Sequence, residues 1–471
     1  MSLKSKLSRR QLLNTLAVAG VGAVGAPLLA ACQPKVVEVE KVVKETVVVE
    51  TEKEVEVEKV VKETVVVEKT SDAAEIRFLT RVGPLGLFMK EYSNIYQEKS
   101  GGAIKVVIEE GNWEDVSTKL MTGAVAGTLA DVFWQPYFFM PYHAANDVMF
   151  EMDEFAASGT VDMSVWYPWA IDLEKLDGKL YGLPMGVMTG YNTIIYNTNI
   201  LEQAGVPEPS GDMSWSDLRE VAKGIKENTG VWGMDIGHWY WGTETIIRGF
   251  GGHLFEPFGD VSLFLDEPVQ EALKMIYEVG NVDKTMPTAA AMEGDRAKMF
   301  ASGKLAMMVN CAADLVCGMA DAIGGRFGYN YATIPTADYG ILGTQQQADS
   351  LHIFSQSKYP QEAFGLCAEI AGIDASKWAC LTTGMTPGAC PAAWEDPEVA
   401  AKYPWYGVEG VWFKTNVPEP PPMPGNLRHT EMASAYEAEW TPIKNGERPY
   451  DQENLEAINA VFQEILSKPR P

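Results

Sequence analysis

From Ala73 onward the chain alternates short β-branched or aromatic runs with amphipathic stretches, and that alternation narrows the folds open to it. Glu75-Ile-Arg-Phe-Leu-Thr80 reads as a strand, followed by the loop Arg81-Val-Gly-Pro-Leu-Gly86 and an amphipathic stretch from Leu87 to Lys99. Ile104 to Glu109 is a second strand, Asp115 to Ala126 a helix, and Ala130-Asp-Val-Phe-Trp134 a third strand. Strands alternating with helices predict βαβ units on a parallel sheet. Further on, Leu218, Val221, Ala222 and Ile225 fall on one helical face, with Ser214 three residues before Asp217 as an N-terminal signal. Val269, Ala272, Leu273 and Ile276 form another face, entered through Asp266 and Pro268. Pro418 to Pro424 reads as a rigid loop, and a last helix spans Gln452 to Leu466.

The residues before Ala73 are of another kind. Ser8-Arg9-Arg10-Gln11-Leu12-Leu13 is a twin-arginine pattern, followed by a Gly/Ala-rich apolar run that ends in Leu29-Ala30-Ala31-Cys32. This looks like a bacterial lipobox. A cationic start stays on the cytoplasmic side, a short apolar run enters the membrane, small residues fit a signal peptidase, and the Cys32 thiol receives the lipid. The run is short for a spanning helix and rich in Gly. The expectation is a cleaved leader over 1–31 and a lipid-anchored protein working outside the cytoplasm. Residues 37–50 read VEVEKVVKETVVVE and residues 55–68 repeat them word for word. The valine spacing holds no heptad, and β-branching makes a poor isolated helix. Residues 32–72 therefore read as a lipidated Cys and a charged, extended spacer; a coiled coil or a strand-paired oligomer is the alternative.

About 400 residues remain, enough for two lobes with cores of their own. The net charge of −26 falls on them, because the basic leader and the acidic spacer cancel. Such a surface argues against nucleic acid and against adhesion to anionic lipid headgroups. Besides Cys32 there are Cys311, Cys317, Cys367, Cys380 and Cys390, an odd set with no CxxC. One disulfide among the last three and small buried thiols are both open readings. The five His (143, 238, 253, 352, 429) have no metal-ligand spacing and read as structural. Neither a metal nor a cofactor is expected.

Seven stretches together resemble the extracellular solute-binding proteins of ABC importers, the large family that includes maltodextrin-binding proteins. They are Gly178-Lys-Leu-Tyr-Gly-Leu-Pro184, Tyr196 to Gly205, Ser214-Trp-Ser-Asp217, Phe300-Ala-Ser-Gly-Lys-Leu-Ala-Met-Met308, Ala332-Thr-Ile-Pro335, Ser357-Lys-Tyr-Pro-Gln-Glu-Ala-Phe364 and Gly384-Met-Thr-Pro387. No single stretch is specific; their order over most of residues 75–466 is. The resemblance implies an α/β, periplasmic-binding-protein-like fold, with two α/β lobes, a ligand cleft and a hinge of crossover strands. Lobe 1 is expected over 73–185 and 345–402, and lobe 2 over 186–344 and 403–471. It further implies a monomeric, non-catalytic receptor that closes on a small carbohydrate and delivers it to ABC permease subunits, touching the membrane through its lipid anchor alone.

Sugar recognition needs flat aromatic faces for the C–H side of a pyranose and planar polar groups for its hydroxyls. The strongest cluster is Trp239-Tyr240-Trp241, a stretch that supplies stacking residues in related proteins. Trp134, at the end of its strand, and Trp113, beyond the second strand, are further platforms. Arg81, on the first strand's exit, is a candidate polar reader. Two departures from the family pattern stand out. Where relatives carry Gly-x-Trp, this chain has Cys311-Ala-Ala-Asp314, and Asp349 occupies a place where many have a Gly pair. Both carboxylates are candidates for binding hydroxyls. Arg428 would suit a carboxylate- or sulfate-bearing ligand by its fork, or else pairs with nearby Glu431. Trp215 and the stretch Phe300 to Met308 read as scaffold. An acidic sugar, peptide, polyamine or phosphorylated polyol is the alternative ligand class. A surface-attached glycan-active enzyme is the alternative activity, although no G-x-S-x-G, H-E-x-x-H, P-loop or dinucleotide fingerprint is present.

Overall fold

The computed structural model describes residues 36–47, 55–66, 73–189, 192–237, 239–256, 260–292, 295–311, 319, 322–341, 343, 346–402 and 427–469. The chain divides into two units, Met1–Asp72 and Ala73–Pro471. In the first unit the two copies of the repeat pair with each other: β1 (Val36–Val47) and β2 (Val55–Val66) form an antiparallel hairpin. Two identical words running in opposite directions offer β-branched residues to both strands, and the register sets Glu40 opposite Lys62 and Lys44 opposite Glu58. Pairing within one chain thus replaces the single extended spacer expected from the sequence.

The second unit is built on two large sheets, with a small two-stranded ribbon of Lys175–Leu176 and Lys179–Leu180 beside them. β3 (Ala74–Arg81), β4 (Ile104–Gly111) and β5 (Val132–Pro136) are parallel, as the strand–helix alternation requires. β6 (Leu183–Thr189) and a late strand, Gln346–Ile353, complete this five-stranded sheet, with the late strand antiparallel to both of its neighbours. The other sheet begins with β7 (Thr193–Asn197), a few residues after β6 ends. β8 (Trp232–Ile236), β9 (Leu305–Cys311) and β10 (Tyr329–Thr333) complete it in the order β8–β9–β7–β10. The late strand is β11, and the first sheet runs β4–β3–β5–β11–β6. The sheets are mixed because the chain leaves the first one after β6 and re-enters it at β11 from the other side.

Local chemistry sets the element ends. The helix Trp215–Thr229 starts at a reciprocal capping box: the Asp217 amide donates to Ser214 Oγ at 3.0 Å and the Ser214 amide donates to Asp217 Oδ2 at 3.0 Å. It ends at Gly230, whose φ of 76° is left-handed and suits the missing Cβ. Leu218, Val221, Ala222 and Ile225 are all buried, as their spacing predicts. The final helix spans Gln452–Leu466. One core, with Phe78, Phe88, Trp134, Phe138 and Trp166, lies against the first sheet. A second, with Trp215, Ile246, Ile276, Trp440 and Phe462, lies against the other. Trp241 packs against both. Cys311, Cys367, Cys380 and Cys390 are buried and outside any disulfide, which decides for small core thiols over a disulfide among the last three.

Candidate functional site

Three residues named from sequence meet at the ends of the parallel strands. Arg81 closes β3 and Trp134 lies on β5. Trp113 is the first residue of the helix Trp113–Ala126, fixed by a capping box in which the Asp115 amide donates to Asn112 Oδ1 at 2.9 Å. The Arg81 guanidinium carbon lies 5.4 Å from the ring centroids of both tryptophans. The two rings meet edge to face at 5.8 Å and 74°. The arrangement couples a cation to two π faces. Trp134 Nε1 and Gln135 Oε1, both buried, have no hydrogen-bond partner among the described residues, nor has Gln347 Oε1 on β11. Trp113, Trp134, Gln135 and Phe139 line one small recess. Buried polar atoms of this kind carry a desolvation cost that a ligand hydroxyl can offset.

From there the rings continue without a gap into the second sheet's half. Trp113 meets Phe139 at 6.0 Å, Phe139 meets Phe138 at 4.6 Å, and Phe138 stacks on Trp241 at 5.5 Å and 30°. Trp241 meets Trp239 at 6.3 Å, and the Arg296 guanidinium lies 5.6 Å from the Trp239 centroid. The result is a chain of aromatic rings with an arginine at each end. His429 is buried among them, 4.5 Å from Phe138, 5.2 Å from Phe139 and 5.3 Å from Tyr240.

The Trp239-Tyr240-Trp241 triplet is divided by a helix start. Trp239 is the N-cap of the helix Tyr240–Gly249. Tyr240 turns into the core, against Phe255 and Tyr436, and burial drives its phenol well above the ordinary value. Asn310 holds the turn: it is fully buried at φ 63°, and its Nδ2 donates to the Gly237 carbonyl at 2.5 Å and the Gly242 carbonyl at 2.7 Å. Arg296 adds a second brace, pairing with Asp235 Oδ2 at 3.0 Å and donating to the Val309 carbonyl at 2.6 Å. Burial raises the pKa of Asp235, with Arg296 opposing.

The remaining described candidates are Asp349 and Arg428. Asp349, half-buried, sits at a register shift of β11 between Pro136 and Gly186. Arg428 is the N-cap of the helix His429–Lys444; it donates to Glu431 Oε1 at 2.9 Å and to the Pro469 carbonyl. Its guanidinium pairs with Glu431, and the next residue, His429, lies among the rings. Asp314 and Cys32 lie outside the described residues, as does the Pro418–Pro424 loop. Sequence reasoning did not single out Phe139, His429, Arg296 or Asn310 for the site. The positive φ of Asn310 and the one-residue offset at His429 leave no mark in a linear pattern.

Two α/β halves, each with its own core and sharing one run of aromatic rings, define a two-lobed, periplasmic-binding-protein-like fold. The sequence model for bacterial extracellular solute-binding proteins matches residues 91–404, and the chain belongs to that family. A binding protein of Brucella abortus is 26% identical over 321 residues, 63% of this chain and 71% of the relative. The lactose-binding protein of Rhizobium radiobacter is 27% identical over 224 residues, 47% of this chain and 52% of that protein. In structure the chain is similar to an ABC substrate-binding protein from Listeria monocytogenes solved with cycloalternan. That match has a TM-score of 0.71 and 21% identity and covers 84% of this chain and 98% of the other. An extracellular solute-binding family works outside the cytoplasm, and among the described residues no helix is long and apolar enough to cross a membrane.

Proposed function

We propose that this chain is the lipid-anchored receptor of an ABC importer and that its ligand is a neutral sugar or oligosaccharide. Cys32 carries the lipid. The ligand enters between the lobes, which close about the crossovers linking the two large sheets, and the permease reads the closed shape. The observation that carries the reading is the ring chain from Trp113 and Trp134 to Trp241 and Trp239, bounded by Arg81 and Arg296. Pyranose C–H faces stack on such rings, while Trp134 Nε1, Gln135 Oε1 and Gln347 Oε1 meet hydroxyls. Asp349 and Asp314 are further hydroxyl acceptors, and Tyr240 supports the platform from behind. Related proteins named for lactose and solved with cycloalternan support the carbohydrate class. The Arg428–Glu431 pair favours a neutral ligand over a carboxylate-bearing one.

A thermal-unfolding screen against neutral mono- and oligosaccharides tests the assignment. A ligand at 100 times its Kd adds about 2.7 kcal/mol to stability, an easily read rise in Tm. A full panel without any shift would end the carbohydrate reading.

A further inference from the structure

A second recess lies in the half built on β8 and β9, and it shares no residue with the aromatic site. Its volume is about 450 Å³. It opens where the helices Glu267–Asn281 and His429–Lys444 end against the segment 286–292. Met286, Pro287 and Lys444 form a buried floor, Met292 a half-buried wall, and Thr288, Ala289, Ala290, Asn445 and Glu447 an exposed rim.

Lys444 is the unusual member. It is 7% exposed, and its ammonium makes no ion pair or hydrogen bond among the described residues. Three carboxylates are near enough to act on it, and each is engaged or solvated. Asp235, on β8, pairs with Arg296 at 3.0 Å. Glu437, on its own helix, accepts from Thr441 Oγ1 at 2.9 Å, and Glu447, on the following turn, is exposed at the rim. Burial pulls the lysine down to about 8 against their opposition, so it is mostly charged at neutral pH. A largely buried cation with no direct ion pair gains from an anion that a ligand brings.

We infer that this recess is a second ligand site, taking a small organic monoanion with an apolar body, its carboxylate on Lys444 and its body against Met286, Pro287 and Met292. The size fits, since a dry apolar cavity of about 150 Å³ already holds benzene. Glu447 at the rim and the acidic surface of the chain disfavour dianions such as phosphate monoesters.

4-Fluorobenzoate, followed by its fluorine NMR signal on titration into the protein at pH 7, is the probe, with 4-fluorobenzyl alcohol as the uncharged control. The expected result is saturable binding of the acid, at least tenfold weaker binding of the alcohol, and at least tenfold loss for the acid in Lys444→Met. Ala290→Trp, which fills the recess from its exposed rim and leaves the core alone, should abolish binding. Three results would overturn the inference: no saturable binding, equal affinity in wild type and both variants, or displacement of the acid by a sugar that stabilises the protein. The last would assign the probe to the aromatic site.

Discussion

Asn310→Ala isolates the brace behind the tryptophan pair. Asn310 is fully buried, and its amide donates at 2.5 and 2.7 Å to carbonyls on either side of Trp239. Losing two such bonds costs about 2 kcal/mol, with a further penalty for a carbonyl left buried and unmet. The backbone stands at φ 63°, where alanine pays about 1 kcal/mol that asparagine tolerates better. The total is about 3 to 4 kcal/mol. Urea unfolding followed by tryptophan fluorescence reads it as a lower midpoint at unchanged slope. Asn310→Asp keeps the shape but points oxygens at oxygens. Its charged form is disfavoured in the fold, so its stability should be greater at pH 4.5 than at pH 7 relative to wild type. A midpoint for Asn310→Ala within about 1 kcal/mol of wild type would refute the brace, as would an Asp variant no worse at pH 7 than at pH 4.5.

Stability should peak near pH 6.5. Burial raises Glu174 from 4.5 to about 8, the Ser350 hydroxyl opposing at 2.5 Å, and burial lowers His143 and His352 from 6.5 to about 4. The folded chain keeps the Glu174 proton that the unfolded chain gives up, so stability declines with rising pH up to about 8, by about 1.4 kcal/mol per unit. Both histidines work the other way, their contribution being lost as pH falls from 6.5 to 4. Glu174→Gln should flatten the alkaline decline in a pH series of melting curves, and an unchanged decline would remove Glu174 from this account. Glu244→Ala should cost about 3 kcal/mol or more in urea unfolding, since the buried carboxylate meets Arg248 at 3.1 Å, His253 at 3.1 Å and the Leu254 amide at 3.0 Å. Cys367, Cys380 and Cys390 are buried thiols outside any disulfide, so a reductant should leave Tm unchanged, and alkylation followed by mass spectrometry should label them only after unfolding.

Much of the frame is legible in the chain because it is local. The helix Gln452–Leu466 falls where its periodicity ends, and Ser214 with Asp217 form the capping box their spacing predicts. Arg81, Trp113 and Trp134 can be picked out because each follows a recognisable strand, and strand ends converge on one edge of a parallel sheet. What is not legible depends on contacts distant in sequence. Antiparallel β11 belongs to the first sheet through a return crossing that the strand–helix alternation does not encode. The pairing of the two VEVEKVVKETVVVE copies depends on direction, which a repeat alone leaves open. Arg428 carries the chemistry of a ligand reader, but Glu431 is three residues on in a helix and takes it. His429, one position later, is carried by the helix start into the ring cluster.

Calorimetric titration of a stabilising oligosaccharide into wild type and into the Trp134→Ala/Trp241→Ala double variant asks whether the ring chain is what holds the sugar. The two rings stand on opposite halves of the aromatic chain, so their loss removes a platform from each lobe. The account predicts saturable binding to wild type and a loss of at least 100-fold, about 2.7 kcal/mol, in a double variant that still melts cooperatively. Undiminished affinity in that variant would place the ligand elsewhere and contradict the account.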